Sequence, residues 1–350
     1  MGYVKVNAVV HTTGEVSTLD AGRPAPAARR YVVLHPWPTC GGFAKRMDLL
    51  SEALGREHPT ERIRTWRSLA GLLVRGGLDG QAVTLVFFTS LLVPLAVLLK
   101  LLTPGLSLCY MVRGDEYTYA LSQRRRFRAL VALCLQQLLR VARGRFVFVS
   151  WDLAQVFGQR LGRICRSCVL PNTLGEALPP TRPVGQAVAV VGDFGTVKNI
   201  ESVIAGLSGG NYQLHLYGNR SLPEQWQRPW LCAHGVVDDL SAHLRDVSLV
   251  VLASVSEGFP NVLVEALQAG CGVVVHNGFP FRHLPVADEW RFDLPRDADT
   301  EPGLVHHGHL RLEDVIETLR SQGRDFRQDN PELVQLIESD WQRRVRQAVA

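Results

Sequence analysis

The sequence of 350 residues predicts an α/β fold in which two Rossmann-like domains face each other across a cleft. Short apolar runs alternate with segments of helical periodicity in both halves, which is typical of parallel sheets covered by helices on both faces. The proline-dense segment ALPPTRPVGQ, residues 177–186, interrupts this alternation and indicates a linker. Charge divides at nearly the same place: residues 1–180 hold 23 Lys and Arg against 11 Asp and Glu, and residues 181–350 hold 15 against 22.

These signals set the expected domain boundaries. We expect a first domain over residues 1–178, a linker over 179–186 and a second domain over 187–331. Residues 332–350 have the spacing of one long helix, 332–349, which we expect to cross back and pack on the first domain.

Each predicted strand of the first domain is a short apolar run that ends in a loop. Segments with helical spacing follow at 43–54, 91–102 and 127–143. The predicted strands are 31–34, 83–88, 106–112, 146–150 and 168–170.

The longest apolar run, residues 83–99, raises the question of a membrane span. It has 17 apolar or hydroxyl residues, the short limit for a helix that crosses a bilayer. However, it opens with β-branched and aromatic residues, Thr89 and Ser90 supply a helix N-cap, and Pro94 suits a first helical turn. We therefore predict a buried strand followed by a helix.

The second domain repeats the alternation of strand and helix. Helical spacing is found at 200–207 and 239–245 and again from residue 261 onward. The predicted strands are 187–191, 213–217, 233–237, 248–253 and 272–276.

Composition limits the class and location of the protein. With 46% hydrophobic and 20% charged residues, the chain can bury two cores. Seven cysteines without a framework spacing favour a reducing compartment, and the N-terminus lacks a secretory signal, so we expect a cytoplasmic protein. The basic first half indicates an anionic partner. No nucleic-acid motif is present, and nucleic acid is therefore not an expected partner.

Residues 122–145 have a basic start, an apolar body and a basic end. Such a segment can lie on an anionic membrane surface or meet a lipid-diphosphate acceptor. A core-packed helix with solvated arginines is the alternative.

The strongest site signal is SEGFPNVLVEALQAG, residues 256–270, directly after the predicted strand 248–253. Ligands of doubly wound sheets bind at the carboxyl ends of the strands. Gly258 permits a tight turn there, Pro260 and Asn261 begin a helix, and Asn261 is the candidate N-cap. Free backbone amides at a helix start attract phosphate.

Two carboxylates, Glu257 and Glu265, flank this helix start. A carboxylate accepts hydrogen bonds from neutral hydroxyls, so the pair could hold a hydroxylated ring on each side of a phosphate. A nucleotide sugar has that shape. The alternative, solvated glutamates, is weaker for Glu265 because its neighbours are apolar.

Glycine-bearing loops add weaker signals at other strand ends. Residues 192–199, GDFGTVKN, follow a strand and open a helix, and Lys198 supplies a charge for phosphate, although the spacing is not that of a Walker loop. Gly41 and Gly42 also join a strand to a helix and would admit a phosphate or sugar close to the backbone.

The Glu-x7-Glu block after its strand resembles the signature of the retaining glycosyltransferase family 4, of the GT-B fold. The resemblance covers about residues 31–285. Looser segments occur in the order of that family, namely Gly41-Gly42, RGDE at 113–116, FVS at 148–150, VLPN at 169–172 and GDFGTVKN at 192–199.

The resemblance implies metal-independent transfer of a sugar from a nucleotide-diphosphate donor, without a cofactor and with retention at the anomeric carbon. It implies that Glu257 holds the donor sugar, Glu265 the ribose and Lys198 the diphosphate. Catalytic candidates are Glu257, Asp115 and Arg113; Asp115 could accept a proton, orient the sugar or pair with Arg113. The other donor-binding candidates are Gly41, Gly42, Gly192, Asn199, Gly218, Gly258, Phe259, Pro260 and Asn261.

Two positions depart from the family pattern. Asp193 stands where the family commonly has an arginine beside the first glycine, so one expected phosphate cation is replaced by a carboxylate. Arg113 stands where a histidine is frequent.

The expected acceptor is a glycan or a lipid-linked hydroxyl on the first domain. The resemblance implies a role in bacterial surface polysaccharide or glycolipid synthesis, with the protein peripheral on the cytoplasmic face of the inner membrane. Two alternatives stay open, a GT-B nucleotide-sugar epimerase and a non-catalytic nucleotide-sugar-binding protein, the second because of Asp193 and Arg113.

Overall fold

A computed structural model describes residues 30–35, 41–56, 58–74, 82–103, 105–192, 197–207, 212–218, 224–294 and 310–349. Its two sheets each have six strands, and every pairing is parallel. Helices cover both sheets, as expected for strands whose side chains are buried on both faces.

The first sheet has the order β2-β1-β3-β4-β5-β6. The chain therefore adds strands on one side of β1 and then on the other, which places a switch point between β1 and β3. The strands are β1 Arg30–Leu34, β2 Thr60–Ile63, β3 Val83–Phe87, β4 Ser107–Val112, β5 Arg145–Phe148 and β6 Ser167–Val169.

Local signals explain where the helices of the first half begin. Ser150 has an extended backbone, and its hydroxyl accepts a hydrogen bond of 3.3 Å from Leu153 N. Thr89 caps a short 3₁₀ turn, Ser90–Leu92, and Pro94 lies in the first turn of the next helix. The helices are α1 Gly41–Gly55, α2 Trp66–Val74, α3 Val93–Leu102, α4 Glu116–Ser122, α5 Arg126–Val141 and α6 Trp151–Leu161.

The second sheet has the order β12-β11-β10-β7-β8-β9. Its switch point lies between β10 and β7, whose carboxyl ends both lead into predicted site loops. The strands are β7 Ala187–Val191, β8 Gln213–Tyr217, β9 Leu231–Gly235, β10 Leu249–Leu252, β11 Gly272–His276 and β12 Arg291–Phe292.

The helices of the second half are shorter. The described ones are α7 Ile200–Gly206, α8 Leu240–His243, α9 Asn261–Gln268, α10 Leu312–Ser321, α11 Phe326–Asp329, α12 Pro331–Glu338 and α13 Trp341–Val349.

The predicted α/β fold with two parallel sheets is confirmed. The run at 83–99 is the buried strand β3 followed by α3, as predicted. Among the described residues, no helix is both long and apolar enough to cross a membrane.

The predicted single helix 332–349 is wrong, because the chain forms two helices there. Ser339 takes an extended conformation after α12. The side chain of Asp340 then accepts a hydrogen bond of 3.1 Å from Arg343 N and so caps the start of α13. The second of these helices packs on α1, and Trp341, Val345 and Val349 join a core cluster of the first sheet. The boundaries at 178 and 187 stay predictions.

Candidate functional site

Two loops lie side by side at the switch point of the second sheet. One follows β7 and includes Gly192 and Lys198, and the other runs from β10 to α9. Val255 N in the second loop donates a 2.9 Å hydrogen bond to Val197 O in the first. A crevice between such loops is the usual ligand position in this kind of sheet.

Lys198 and Glu257 form an ion pair between the two loops. Lys198 Nζ lies 2.7 Å from Glu257 Oε2, and the side chains are 20% and 22% exposed. Gly192, with φ of 140°, lies beneath the lysine, since an added Cβ would stand 2.5 Å from Lys198 Cε. Glycine is needed at this position for its backbone angle, and a Cβ there would also displace the lysine side chain.

The start of α9 differs from the prediction in one detail. The N-cap is Pro260, with φ of −69° and ψ of 119°, and no side chain caps the helix there. Asn261 is the first helical residue, so its predicted role as N-cap is wrong. Its Oδ1 instead accepts a 2.7 Å hydrogen bond from Asn172 Nδ2, which comes from the first half of the chain. The proline takes the cap position because its fixed φ suits the entry to a helix.

Glu265 lies one turn inside α9 and is half-buried. Its carboxylate has no hydrogen-bond or ion-pair partner among the residues that the structure describes. A half-buried carboxylate without a partner is an unused acceptor, able to take hydrogen bonds from hydroxyl groups of a ligand.

The two halves of the chain are in contact at Gly258. A Cβ at this position would stand 2.0 Å from Arg113 O and 2.8 Å from Val149 Cγ2, so the approach requires glycine. Asn172 Nδ2 adds a 3.2 Å hydrogen bond to Phe259 O. A cavity beside Arg113 and Asn172 has a volume of about 20 Å³, space for one water molecule but not for a sugar. The loops therefore meet in a closed arrangement.

Asp115 is a buried structural anchor in this arrangement. Its carboxylate caps α4 through a 3.2 Å hydrogen bond from Tyr117 N and also accepts one from Thr118 Oγ1. Arg160 lies 2.9 Å and 3.1 Å from its two oxygens, and the guanidinium stacks on the rings of Tyr117 and Phe157. These donors already occupy both oxygens of the predicted catalytic carboxylate.

The remaining predicted residues lie at strand and helix ends. Gly41 and Gly42 are the first two residues of α1, and Gly218 follows β8 with its N donating to Gly235 O at 2.9 Å. Asn199 has φ of 52° before α7, and its Oδ1 accepts from Ser202 Oγ at 2.8 Å. Asp193 falls outside the described residues.

Similar solved structures share this architecture along nearly the whole chain. Sucrose-phosphate synthase from Thermosynechococcus elongatus superposes with a TM-score of 0.68 at 14% identity, covering 91% of this chain and 97% of its own. OtsA gives 0.59 at 12% identity, with 92% and 99% covered. The fold is GT-B. HepE from Anabaena, solved with UDP and glucose, gives 0.58 at 14% identity, with 92% and 95% covered.

The sequence comparison points to the same half of this GT-B protein as the site geometry. Residues 189–283 match the family model described as Glycosyl transferases group 1. That stretch contains both switch-point loops, the Lys198–Glu257 pair and all of α9. No curated protein sequence matches the chain significantly.

His276 supports the β10–α9 loop of this GT-B domain and was not among the predicted site residues. It is buried at the end of β11, where its Nδ1 accepts from Gly278 N at 3.0 Å. The proton is thus on Nε2, which donates to Ser254 O at 2.8 Å. The sequence signal that could have identified His276 is its position at the end of the apolar run GVVVH. Among the described residues, no group of three or more His, Cys, Asp or Glu could hold a metal ion.

A second contact between the two halves of this GT-B protein was also not predicted from the sequence. His283 N donates to Asp152 Oδ2 at 3.3 Å, and the His283 ring contacts Gln155 Oε1. Burial raises the pKa of the Asp152 carboxyl, and the charges of His283 and Arg282 oppose that effect only in part. No sequence pattern points to this contact, because its residues lie about 130 positions apart.

Proposed function

We propose that this protein is a retaining glycosyltransferase that moves a sugar from a nucleotide-diphosphate sugar to a hydroxyl of a glycan or lipid-linked acceptor. The proposal rests on the ion pair of Lys198 and Glu257, which lie 2.7 Å apart at the switch point of the second sheet. The match of residues 189–283 to group 1 glycosyl transferases supports it.

On binding, the donor would replace the contact between Lys198 and Glu257 with its own contacts to each of these two side chains. A diphosphate carries more negative charge than one carboxylate, so it competes for Lys198 Nζ and leaves Glu257 to accept hydrogen bonds from the sugar hydroxyls. Glu265, whose carboxylate has no partner among the described residues, would hold the ribose. The uncapped start of α9 adds backbone amides for the phosphate.

Chemistry in this site requires stabilisation of the leaving diphosphate. Lys198 and the amides act where negative charge develops, which is how a preorganised site lowers a barrier without a metal ion. The acceptor hydroxyl would attack the anomeric carbon on the face from which the diphosphate leaves. The bond from that carbon to the diphosphate oxygen breaks, and the hydroxyl proton passes to the departing diphosphate, so the product retains the configuration of the donor. The contact of Gly258 with Arg113 O means that the cleft must open to admit substrates and close again for transfer.

Asp115 enters the proposal as a positioning residue. Its oxygens are held by α4 and Arg160, so it fixes the segment that carries Arg113 against Gly258. Arg113 stays a candidate for contact with the reacting groups.

The products would belong to a bacterial surface polysaccharide or glycolipid, made at the cytoplasmic face of the membrane. The excess of basic residues in the first half supports an anionic, membrane-proximal acceptor.

A donor screen tests the proposal first. HepE from Anabaena was solved with UDP-glucose, so UDP-sugars are the first donors to try, followed by other nucleotide sugars. We expect one nucleotide and its sugar to raise Tm, because a ligand that binds only the folded state stabilises it. If no nucleotide sugar changes Tm, the proposed donor site is refuted.

Product analysis then separates the possible activities. With donor and a panel of acceptors, we expect release of the nucleoside diphosphate and an α-configured product from an α-configured donor. An inverted product refutes retention, and conversion of the donor alone into a second sugar identifies an epimerase. Binding without turnover across the panel identifies a nucleotide-sugar-binding protein.

A further inference from the structure

The outer face of α5 is apolar although it faces solvent. Phe127, Leu130, Cys134, Leu138 and Val141 recur every three or four residues and are all exposed, with Phe127 at 77% and Val141 at 72%. This spacing forms one stripe along the helix. The opposite stripe, which includes Ala129, Ala132 and Leu139, is buried against the domain.

The neighbouring helix α3 presents a second stripe of the same kind. Leu91 precedes it in the 3₁₀ turn, and Pro94, Leu98, Leu101 and Leu102 continue the stripe on the exposed side. Leu101 is 74% and Leu102 is 71% exposed. The buried residues Val93, Ala96 and Leu99 lie on the other side of α3.

The two stripes lie on adjacent helices. α3 packs against α5, and Lys100 Nζ donates a 3.0 Å hydrogen bond to Ala142 O at the end of α5. The region of these stripes holds 10 of the 14 exposed large hydrophobic side chains among the described residues: eight on α3, on α5 and in the turn before α3, and two, Tyr119 and Leu121, on α4, which contacts α5. We call it the α3–α5 surface; it comprises Leu91, Pro94, Leu98, Leu101, Leu102, Tyr119, Leu121, Phe127, Leu130, Cys134, Leu138 and Val141.

Basic side chains stand at both ends of the α3–α5 surface. Exposed arginines at 124–126 and Arg128 surround the start of α5. At the other end are Lys100, Arg143 and Arg166. Burial lowers the pKa of Lys100, and the nearby charges of Arg166 and Arg143 lower it further. Between residues 91 and 145 there are nine Lys and Arg but only two Asp and Glu, and both acids are engaged, Asp115 by Arg160 and Glu116 by Ser90.

We propose that the α3–α5 surface docks the protein on an anionic phospholipid membrane. The apolar stripes would enter the boundary between headgroups and acyl chains, and the arginines at each end would contact lipid phosphates. At 10 and 16 residues the two helices are too short to span a bilayer, so they lie in its plane. A second copy of the chain fits less well, because like-charged arginine clusters would then face each other.

Docking through this surface is a property of the folded first domain and is independent of the proposed transfer. It differs from the membrane segment expected at residues 122–145, because it also includes the exposed side chains of Leu98, Leu101 and Leu102 in α3. Vesicle binding without donor or acceptor therefore tests docking alone, and donor turnover without vesicles tests the transfer alone.

Co-sedimentation with vesicles is the first experiment. We expect the full chain to bind vesicles of phosphatidylcholine and phosphatidylglycerol, to bind pure phosphatidylcholine far more weakly, and to be released partly by salt. Changing Arg125, Arg126 and Arg128 to Gln should weaken binding by about 100-fold, because each basic residue near an anionic surface contributes roughly fivefold. The matched control changes Arg67, Arg245 and Arg343, which are exposed elsewhere, to Gln and should bind like the unchanged chain.

A separate variant tests the apolar part of the α3–α5 surface. Leu101→Ser with Phe127→Ser should reduce vesicle binding by at least about tenfold, since two large side chains no longer enter the bilayer. Val236→Ser, at a side chain that is 73% exposed in the other half, is the control. All positions are exposed, and thermal melting of each variant shows whether the fold is retained.

A fluorophore attached to Cys134 reports vesicle binding without any amino-acid substitution in the α3–α5 surface. In a variant with Cys40, Cys165 and Cys232 changed to Ser, an environment-sensitive label on Cys134 should shift to shorter wavelength with anionic vesicles. No shift and no sedimentation would overturn the proposal. Equal loss of binding in the Arg67/Arg245/Arg343 control would overturn it too. So would a dimer in solution that Leu101→Ser with Phe127→Ser dissociates, because that result assigns the surface to a second copy.

Discussion

Lys198 Nζ and Glu257 Oε2 lie 2.7 Å apart, although the two residues come from loops that follow different strands of the second sheet. Each charge partly neutralises the other, and both side chains stay about one-fifth exposed. The pair thus holds the lysine over Gly192, the position that the proposed function assigns to the donor diphosphate. In the proposed function, a donor would displace the carboxylate from the lysine, and the ion pair would keep both side chains oriented until the donor binds.

Gly258→Ala should separate donor binding from transfer. The new Cβ would stand 2.0 Å from Arg113 O, so the loops from the two halves could not close. We expect transfer to fall by about 100-fold, the cost of a misplacement near 1 Å, while calorimetry shows little change in donor affinity. Gly158→Ala, inside α6, meets nothing within 4 Å and is the control. Full transfer by Gly258→Ala would contradict the closed arrangement.

Asp115→Asn should lower the stability of the folded protein. Removing the charge leaves Arg160 without its carboxylate partner in a site where the two side chains are 1% and 11% exposed. We expect the free energy of unfolding to fall by about 3–5 kcal/mol, measured by urea denaturation. Asp48→Asn, at an exposed pair with Arg62 and Arg64, should change it by less than about 1 kcal/mol. If Asp115→Asn is as stable as the unchanged chain but does not transfer sugar, Asp115 acts in the chemistry instead.

Local patterns were sufficient to predict much of the fold. Continuous apolar runs such as AVAVV and GVVVH form β7 and β11 at the predicted positions, because a strand buried on both faces needs apolar side chains throughout. The strand predicted at 233–237 lies two residues earlier, at Leu231–Gly235. It is a largely exposed edge strand, so burial does not mark its register. For the same reason β2, another edge strand with the sequence TERI, had no apolar run to reveal it.

The candidate site was predictable only where its residues share one loop. The block from Glu257 to Glu265 is local, and the structure places it at the switch point. The contacts of Asn172 with Phe259 O and Asn261 join residues almost 90 positions apart, and only the folded chain brings them together. The pairing of Asp115 with Arg160 was missed for the same reason.

The pH dependence of stability should contain a contribution from Asp152. Burial raises the pKa of this carboxyl in the folded protein above its usual value of 3.8. A raised pKa favours the folded state below pH 3.8, and this advantage is lost as pH rises through the folded pKa. The free energy of unfolding of the unchanged chain minus that of Asp152→Asn should therefore decrease from acidic to neutral pH. A difference that is constant with pH would contradict this assignment.

Gln136→Leu should stabilise the protein. The side chain of Gln136 is fully buried on the inner face of α5, and neither its Oε1 nor its Nε2 has a hydrogen-bond partner among the described residues. An unpaired buried amide costs about 1–3 kcal/mol, which an apolar side chain of similar size avoids. Thermal melting should show a higher Tm. Gln137→Leu, which removes an acceptor for Arg140 Nε, should give no gain and serves as the control.

The most direct test of the donor site compares two ligands on three proteins. Calorimetry would measure the nucleoside diphosphate and its sugar, as selected in the donor screen, with the unchanged chain, Lys198→Met and Glu257→Gln. Lys198→Met should weaken both ligands by about 10–100-fold, the effect of one charge-assisted hydrogen bond. Glu257→Gln should weaken the nucleotide sugar but not the nucleoside diphosphate, and Glu201→Gln, an exposed residue of α7, should change neither. Unchanged affinity of both ligands in Lys198→Met and Glu257→Gln would contradict the assignment of these residues to the donor site.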